Sequence, residues 1–161
     1  MTSRIGGRLA ELGLALPPPL QPPPGLVLPF PWVRVVGNRA FVSGHAPVGP
    51  EGSLAKPLGK VGAELTQDQG YIAARLTALA ILASLQQALG DLDRIVAWLR
   101  VFGMVNATPG FNRFPAVING FSDLILEVFG PDVGAHARSA VGMAGLPFDI
   151  PVEIEAEVAI G

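Results

Sequence analysis

The sequence predicts an α+β domain in which two helices pack on one face of a mixed β-sheet. Three observations lead to it. β-rich runs occur at residues 31–44 and again at 138–159, with two helical patterns between them. A third run, residues 95–105, is apolar on both faces, as a strand inside a sheet is. The resulting order is strand, strand, short strand, helix, strand, helix, strand, strand. Laying both helices on one side of a single sheet is its most economical closure.

The elements follow in order. In residues 2–14, Ile5, Leu9 and Leu12 recur at helical spacing, which predicts a short amphipathic helix docked on the domain or on a neighbour. In residues 17–24, PPPLQPPP, proline fixes φ and removes backbone donors, so the segment reads as an extended connector. Its PxxP spacing also matches SH3-type ligands, but that match is cheap beside a stiff linker. Residues 1–29 thus form an N-terminal helix and proline-rich connector, and residues 30–161 the main domain. Trp32 to Val36 and Ala40 to Ser43 form a hairpin through Gly37-Asn38. Residues 45–57 are loop, and residues 58–65 are expected to add a short strand. Thr66 with Gln69 makes a capping-box pattern before a helix over residues 67–89, which Gly90 closes. A second helix over residues 115–129 has Pro115 in its first turn and Gly130 at its end, with Asn119, Ser122 and Asp123 on a polar face. The last strands, residues 138–145 and 151–159, flank a turn at Leu146-Pro147-Phe148-Asp149. In the final one Glu153, Glu155 and Glu157 alternate with Val152, Ile154, Ala156 and Val158, so one face is apolar and one acidic.

Composition narrows the function. The chain has 161 residues, 50% of them hydrophobic, enough for one domain with a real core. Charged residues make up 15%, below the usual value of about a quarter, which points to surface hidden in an oligomer. With 11 Lys+Arg against 13 Asp+Glu, the chain lacks the basic excess that phosphate contact demands, and this argues against nucleic acid as a partner. The absence of cysteine excludes disulfides, a thiol nucleophile and thiolate metal sites, and fits a cytoplasmic address. His45 and His136 have no HExxH or HxH spacing, so no metal is expected. Residues 2–13 carry only Arg4 and Arg8 as positive charges, unlike a signal peptide. No uninterrupted apolar run reaches the roughly 20 residues of a bilayer span, so no membrane is expected.

The C-terminal residues carry a family likeness. His136-Ala137-Arg138-Ser139-Ala140-Val141, then Leu146-Pro147, then Val152-Glu153-Ile154-Glu155-Ala156 resemble the signature of the YjgF/RidA family, the reactive-intermediate deaminases once labelled endoribonucleases. Ser43-Gly44-His45-Ala46-Pro47 is similar to the family's early S-G-Q-x-P stretch. The likeness covers residues 30–160, and the variant around Arg138 resembles a less-studied branch. It implies a chorismate-mutase-like fold, a barrel-like homotrimer with pockets between subunits, no cofactor, and hydrolysis of small enamines and imines to 2-keto acids and ammonia.

The likeness also implies site residues. Arg138 matches the arginine that binds the substrate carboxylate, and a guanidinium fork suits a carboxylate. The residues alone leave a structural ion pair with a strand glutamate equally open. Glu153 matches the glutamate thought to orient or activate the hydrolytic water; a solvated strand charge is its plainer reading. If residues 138–159 form one tight hairpin, Arg138 and Glu153 lie on the order of 20 Å apart. Then either a neighbouring subunit completes the site or Glu153 is not catalytic. Asn119, in Ile118-Asn119-Gly120-Phe121, matches the family's asparagine in preference to Asn106, and would bond a ligand or a loop. Trp32 stands where many members carry tyrosine, as a pocket wall or a core aromatic. Gly44 would let backbone approach a ligand. His45 and His136 would tune a pocket near neutral pH or serve as hydrogen-bonded structure. Ala140 replaces a cysteine common among the deaminases. Two rival functions follow: a non-catalytic binder of small carboxylate metabolites, and a ribonuclease or translation inhibitor.

Overall fold

A computed structural model describes residues 3–22 and 24–161. Residue 2 of the first expected helix and residue 23 of the proline run lie outside the described residues. The elements are α1 (Arg4–Glu11), β1 (Val33–Val36), β2 (Arg39–His45), α2 (Gln67–Leu89), β3 (Ile95–Asn106), α3 (Phe114–Val133), β4 (Ala137–Met143) and β5 (Val152–Ile160). Short 3-10 turns at Leu92–Arg94 and Pro147–Asp149 precede β3 and β5. The five strands form one sheet in the order β1-β2-β5-β3-β4. Only β3 and β4 run parallel; the other neighbours are antiparallel.

The helices cover one face of this sheet. Thr66 Oγ1 accepts from Gln69 N and the Gln69 side chain accepts from Thr66 N, so the capping box at the start of α2 is complete. By length and composition α2 could cross a bilayer, but 61% of its apolar window is buried within the domain. Ala74, Ala78, Ile81, Leu82 and Leu85 spend that apolar surface on the core. Gly120 is what lets α3 approach α2: a Cβ there would lie 2.0 Å from the Tyr71 carbonyl oxygen. In β5, Val152, Ile154, Ala156 and Val158 face the helices, while the three glutamates lie on the open face. The sequence pattern of alternating residues sets this division directly.

Two expectations need correction. Residues 58–65 are not a strand: Val61 makes only isolated bridges, to Leu65 and Ala107. Gly59 and Gly62 take φ of 121° and 101°, outside the extended region, and interrupt the run. The last two strands are also not a hairpin. The α3 crossover sets β4 parallel on one edge of β3, and β5 fills the other edge, where it also reaches β2. The N-terminal helix is part of the domain. Ile5 and Leu9 are buried in the core, Arg4 N and Ile5 N donate to the Asp93 carboxylate at 2.7 Å, and Arg8 Nε donates to the Glu127 carbonyl at 3.0 Å.

His45 locks β2 to α2. A carbonyl can only accept, so the 2.6 Å contact to Ser43 O places the proton on Nδ1, and Nε2 then accepts from Ser84 Oγ at 2.8 Å. Burial lowers the His45 pKa below its ordinary 6.5, against the opposing bond to Ser43. Between that lowered value and 6.5 the unfolded chain binds more protons than the folded one. The stabilisation is therefore complete above 6.5 and lost as pH falls through the lowered value. Urea midpoints should fall between about pH 7.5 and about pH 5. They should fall less in His45→Gln, the remainder coming from His136, which is shifted the same way. Identical pH dependence in the two proteins would refute the lock.

Candidate active site

Arg138 lies on the edge strand β4 and points to the helix side. Its Nη1 donates to Asn119 Oδ1 at 2.8 Å and to Ser122 Oγ at 3.0 Å, both on α3. Asn119 and Ser122 are three residues apart, so one helix face presents both. The chain of bonds continues. Ser122 Oγ lies 2.8 Å from His136 Nε2, and His136 Nδ1 lies 2.7 Å from Gly134 O. The carbonyl fixes the proton on Nδ1, so the Ser122 hydroxyl donates to Nε2 while it accepts from Arg138. Arg138 Nε has no partner among the described residues, and Nη2 has only a 3.5 Å contact to Pro115 O.

No carboxylate pairs with Arg138 among the described residues; the ion pairs there are Arg8–Glu11, Arg39–Glu157 and Arg75–Glu127. The strand glutamates are on the other face of the sheet, so the ion-pair alternative has no partner. Burial lowers the Arg138 pKa, and Asp123 opposes that shift. Asp123 itself accepts from the Tyr71 hydroxyl at 2.6 Å. Asn106 plays a different part from Asn119: it is buried, accepts from Lys60 Nζ at 2.7 Å and donates to Ile150 O at 3.3 Å.

Glu153 lies in a second cluster, with Gly44 and Trp32. All three line one cavity of about 280 Å³. The close fit of Gly44 is explicit: a Cβ there would lie 3.0 Å from Glu153 Cδ and 3.2 Å from Oε1. The carboxylate thus rests against bare backbone. Its pKa is raised, first by burial and then by the neighbouring Glu155. A half-buried carboxyl moved toward neutral pH is suited to exchanging protons with water. Trp32 is held by the His45 ring, with centroids 5.0 Å apart, and by the edge of Phe30 at 5.8 Å.

The two clusters do not meet within one chain. Arg138 aligns with Val101 and Ala156, whereas Glu153 aligns with Met104. The two residues are therefore two strands and three residues apart, about 14 Å between Cα atoms by strand spacing and rise. The offset of three also puts their side chains on opposite faces. The hairpin estimate exaggerated the distance along the strand and missed the difference in face. Of the expected site residues, Arg138 and Asn119 come together, and Glu153, Gly44 and Trp32 come together.

Sequence reasoning missed most of the cavity wall. Leu20, Leu26, Leu28, Phe148 and Ile150 line it with Glu153. No local pattern marks them, because they meet only through the fold. The role of Ser122 as the link between Arg138 and His136 was signalled only by its helical spacing from Asn119. Among the described residues no group of three or more His, Cys, Asp or Glu side chains forms a metal site.

The antiparallel sheet with one parallel edge strand, backed on one side by helices, is the fold of the YjgF/chorismate-mutase-like proteins. Residues 8–151 match the family model described as "YjgF/chorismate_mutase-like, putative endoribonuclease". The chain is 41% identical over 159 residues to Protein TCP17 of Trypanosoma cruzi, covering 99% of this chain and 96% of that one. A solved structure from Agrobacterium tumefaciens, protein Atu1372 with unknown function, is 40% identical with a TM-score of 0.85, over 98% of this chain and 93% of that one. A solved structure from Shewanella oneidensis, described as a "putative endoribonuclease", is 31% identical with a TM-score of 0.86, over 97% and 99% of the two chains. The chain belongs to the YjgF/chorismate-mutase-like family.

The Arg138 cluster can be tested by histidine NMR, which two histidines make simple. Burial lowers the His136 pKa below 6.5, the bond to Gly134 opposes this, and the Arg138 charge lowers it further. Both rings should show the Nδ1–H tautomer. Arg138→Ala should raise the His136 titration toward 6.5 and leave that of His45 in place. An unmoved His136 would contradict the electrostatic coupling between Arg138 and that ring.

Proposed function

We propose that the protein is a cofactor-free deaminase that hydrolyses 2-imino acids to 2-keto acids and ammonia, in pockets between the subunits of a homotrimer. The observation that carries the reading is the arginine held by Asn119 and Ser122, with Nε open and no carboxylate partner among the described residues. It is one side of a site whose acid–base side, Glu153, faces away within the same chain. Among the described residues, the edge of β4 away from β3 has no strand partner. A neighbouring subunit against that edge would bring its own Glu153, Gly44 and Trp32 toward Arg138.

In this mechanism Arg138 takes the substrate carboxylate through its free donors. A water held by Glu153 forms a bond to the imine carbon as one of its protons passes to the carboxylate, and the imine nitrogen takes a proton from solvent. Glu153 returns its proton to the amine nitrogen as the carbon–nitrogen bond breaks, and the hydroxyl proton passes to solvent, replacing the one taken from it. One imine and one water give one keto acid and one ammonia. The raised pKa of Glu153 brings it nearer to both forms of this exchange at neutral pH.

Ribonuclease activity has weaker physical support. The open face of the sheet carries Glu153, Glu155 and Glu157 against Arg34, Arg39 and Arg100, an even balance that offers phosphate no net attraction. Binding without catalysis would use Arg138 equally, and turnover separates the two.

Ammonia release from freshly generated 2-aminoacrylate should be accelerated by the wild type. In Arg138→Ala, kcat/KM should fall about ten- to hundredfold, the worth of a charge-assisted bond. Glu153→Gln should lower kcat more than it alters KM. Unchanged turnover in Arg138→Ala would sink the assignment. Light scattering should give the mass of three 16.7 kDa chains; a monomer that retains full activity would exclude the shared site.

A further inference from the structure

The cavity beside Glu153 is built for something larger than 2-aminoacrylate. Leu20, Pro22, Leu26 and Leu28 form one wall, Phe148 and Ile150 another, and Glu153 is the only ionisable side chain among the lining residues. A one-carbon side chain would leave most of its roughly 280 Å³ as water held against carbon. Volume and composition match a small-molecule site: mainly apolar, with a few placed polar groups.

The mouth gives an independent observation. Phe148 is 74% exposed and Leu26 51%. Phe148 and Asp149 take φ of 56° and 59°, a conformation that aspartate adopts readily but that a bulky residue such as Phe148 avoids. Strain of this kind gathers at ligand clamps. The surrounding backbone holds the turn: Asp149 N donates to Leu146 O at 3.2 Å, Ile150 N to Pro147 O at 3.1 Å, and Gly59 N to Asp149 O at 2.7 Å. The fold therefore keeps an aromatic ring at the rim at an energetic cost. Prolines 17, 18, 19 and 22 restrict the backbone of the N-terminal segment, which lines the same cavity through Leu20, Pro22, Leu26 and Leu28.

We infer that this cavity receives the side chain of the substrate, and that the substrate is a 2-imino acid with an apolar side chain of leucine or phenylalanine size. The inference rests on the deaminase reading above. The reacting carbon sits at Glu153 against the Gly44 backbone, and the side chain extends past Trp32 toward Leu28 and Phe148. The N-terminal segment and the Phe148 turn are thereby specificity elements, separate from the groups that perform the chemistry.

The test uses the full-length protein and imines made in place by an amino-acid oxidase from alanine, leucine or phenylalanine. Keto-acid formation is read in competition with trapping by semicarbazide. In the wild type, kcat/KM for the two larger imines should exceed that for the alanine imine by at least about tenfold. The ratio should fall toward one in Phe148→Ala and in Leu28→Gln. Equal values for all three imines, or a ratio unmoved in both variants, would overturn the inference and leave the deaminase reading intact. Variants that lose oligomer mass while keeping wild-type selectivity would assign the wall to a subunit contact, and that too overturns it. If no imine is hydrolysed, the deaminase reading fails and calorimetry decides the cavity. Tighter binding of 4-methyl-2-oxopentanoate and phenylpyruvate than of pyruvate, lost in both variants, would uphold an apolar chamber. Equal or absent binding would remove it.

Discussion

β3 has two edges, and they are filled in different ways. The α3 crossover returns the chain as β4, parallel to β3, whereas β5 enters the other edge antiparallel and continues the sheet to β2. This arrangement separates Arg138 from Glu153 by two strands and places them on opposite faces. A guanidinium and a carboxylate within reach of one another would pair, as Arg39 and Glu157 do on the open face. Kept apart, each retains its capacity for a partner from outside its own chain. The free edge of β4 and the open face of the sheet are where such a partner can arrive.

Much of the fold was legible in the sequence because its signals are local. The capping box before α2, the Gly37-Asn38 turn and the alternating glutamates of β5 each act within a few residues, and each lies where the pattern puts it. Strand pairing is not local. Nothing in residues 138–159 states that β3 will lie between the last two strands, because that follows from the crossover of α3 over the sheet. The short strand expected at 58–65 failed for a local reason, the two positive-φ glycines, which a count of apolar residues overlooks.

The site divided along the same line. Arg138, Asn119, Glu153, Gly44 and Trp32 were picked out from motif likeness, and the fold gathers them into two clusters that no motif describes. Choosing Asn119 over Asn106 rested on position after β3, and only Asn119 reaches Arg138. The apolar cavity had no sequence signal, since Leu20 and Phe148 meet across more than 100 residues of chain. The proline run looked like a linker because its composition speaks only of stiffness. In the fold, stiffness is what a preformed wall needs.

The two histidines share one device, and it bears on how the charges are arranged. Each binds the carbonyl two residues earlier through Nδ1, and each meets a helix serine at Nε2: Ser84 for His45 and Ser122 for His136. Each is moved by burial toward the neutral form. Neutral rings support Trp32 on one side and, through Ser122, Arg138 on the other, without adding charge to either cluster. A protonated His136 would set a second cation beside Arg138 and turn its Nε2 from acceptor to donor, so the Ser122 hydroxyl could no longer donate to it. The fixed charge offered to an incoming carboxylate is thereby the guanidinium, aimed by a neutral chain that ends on backbone.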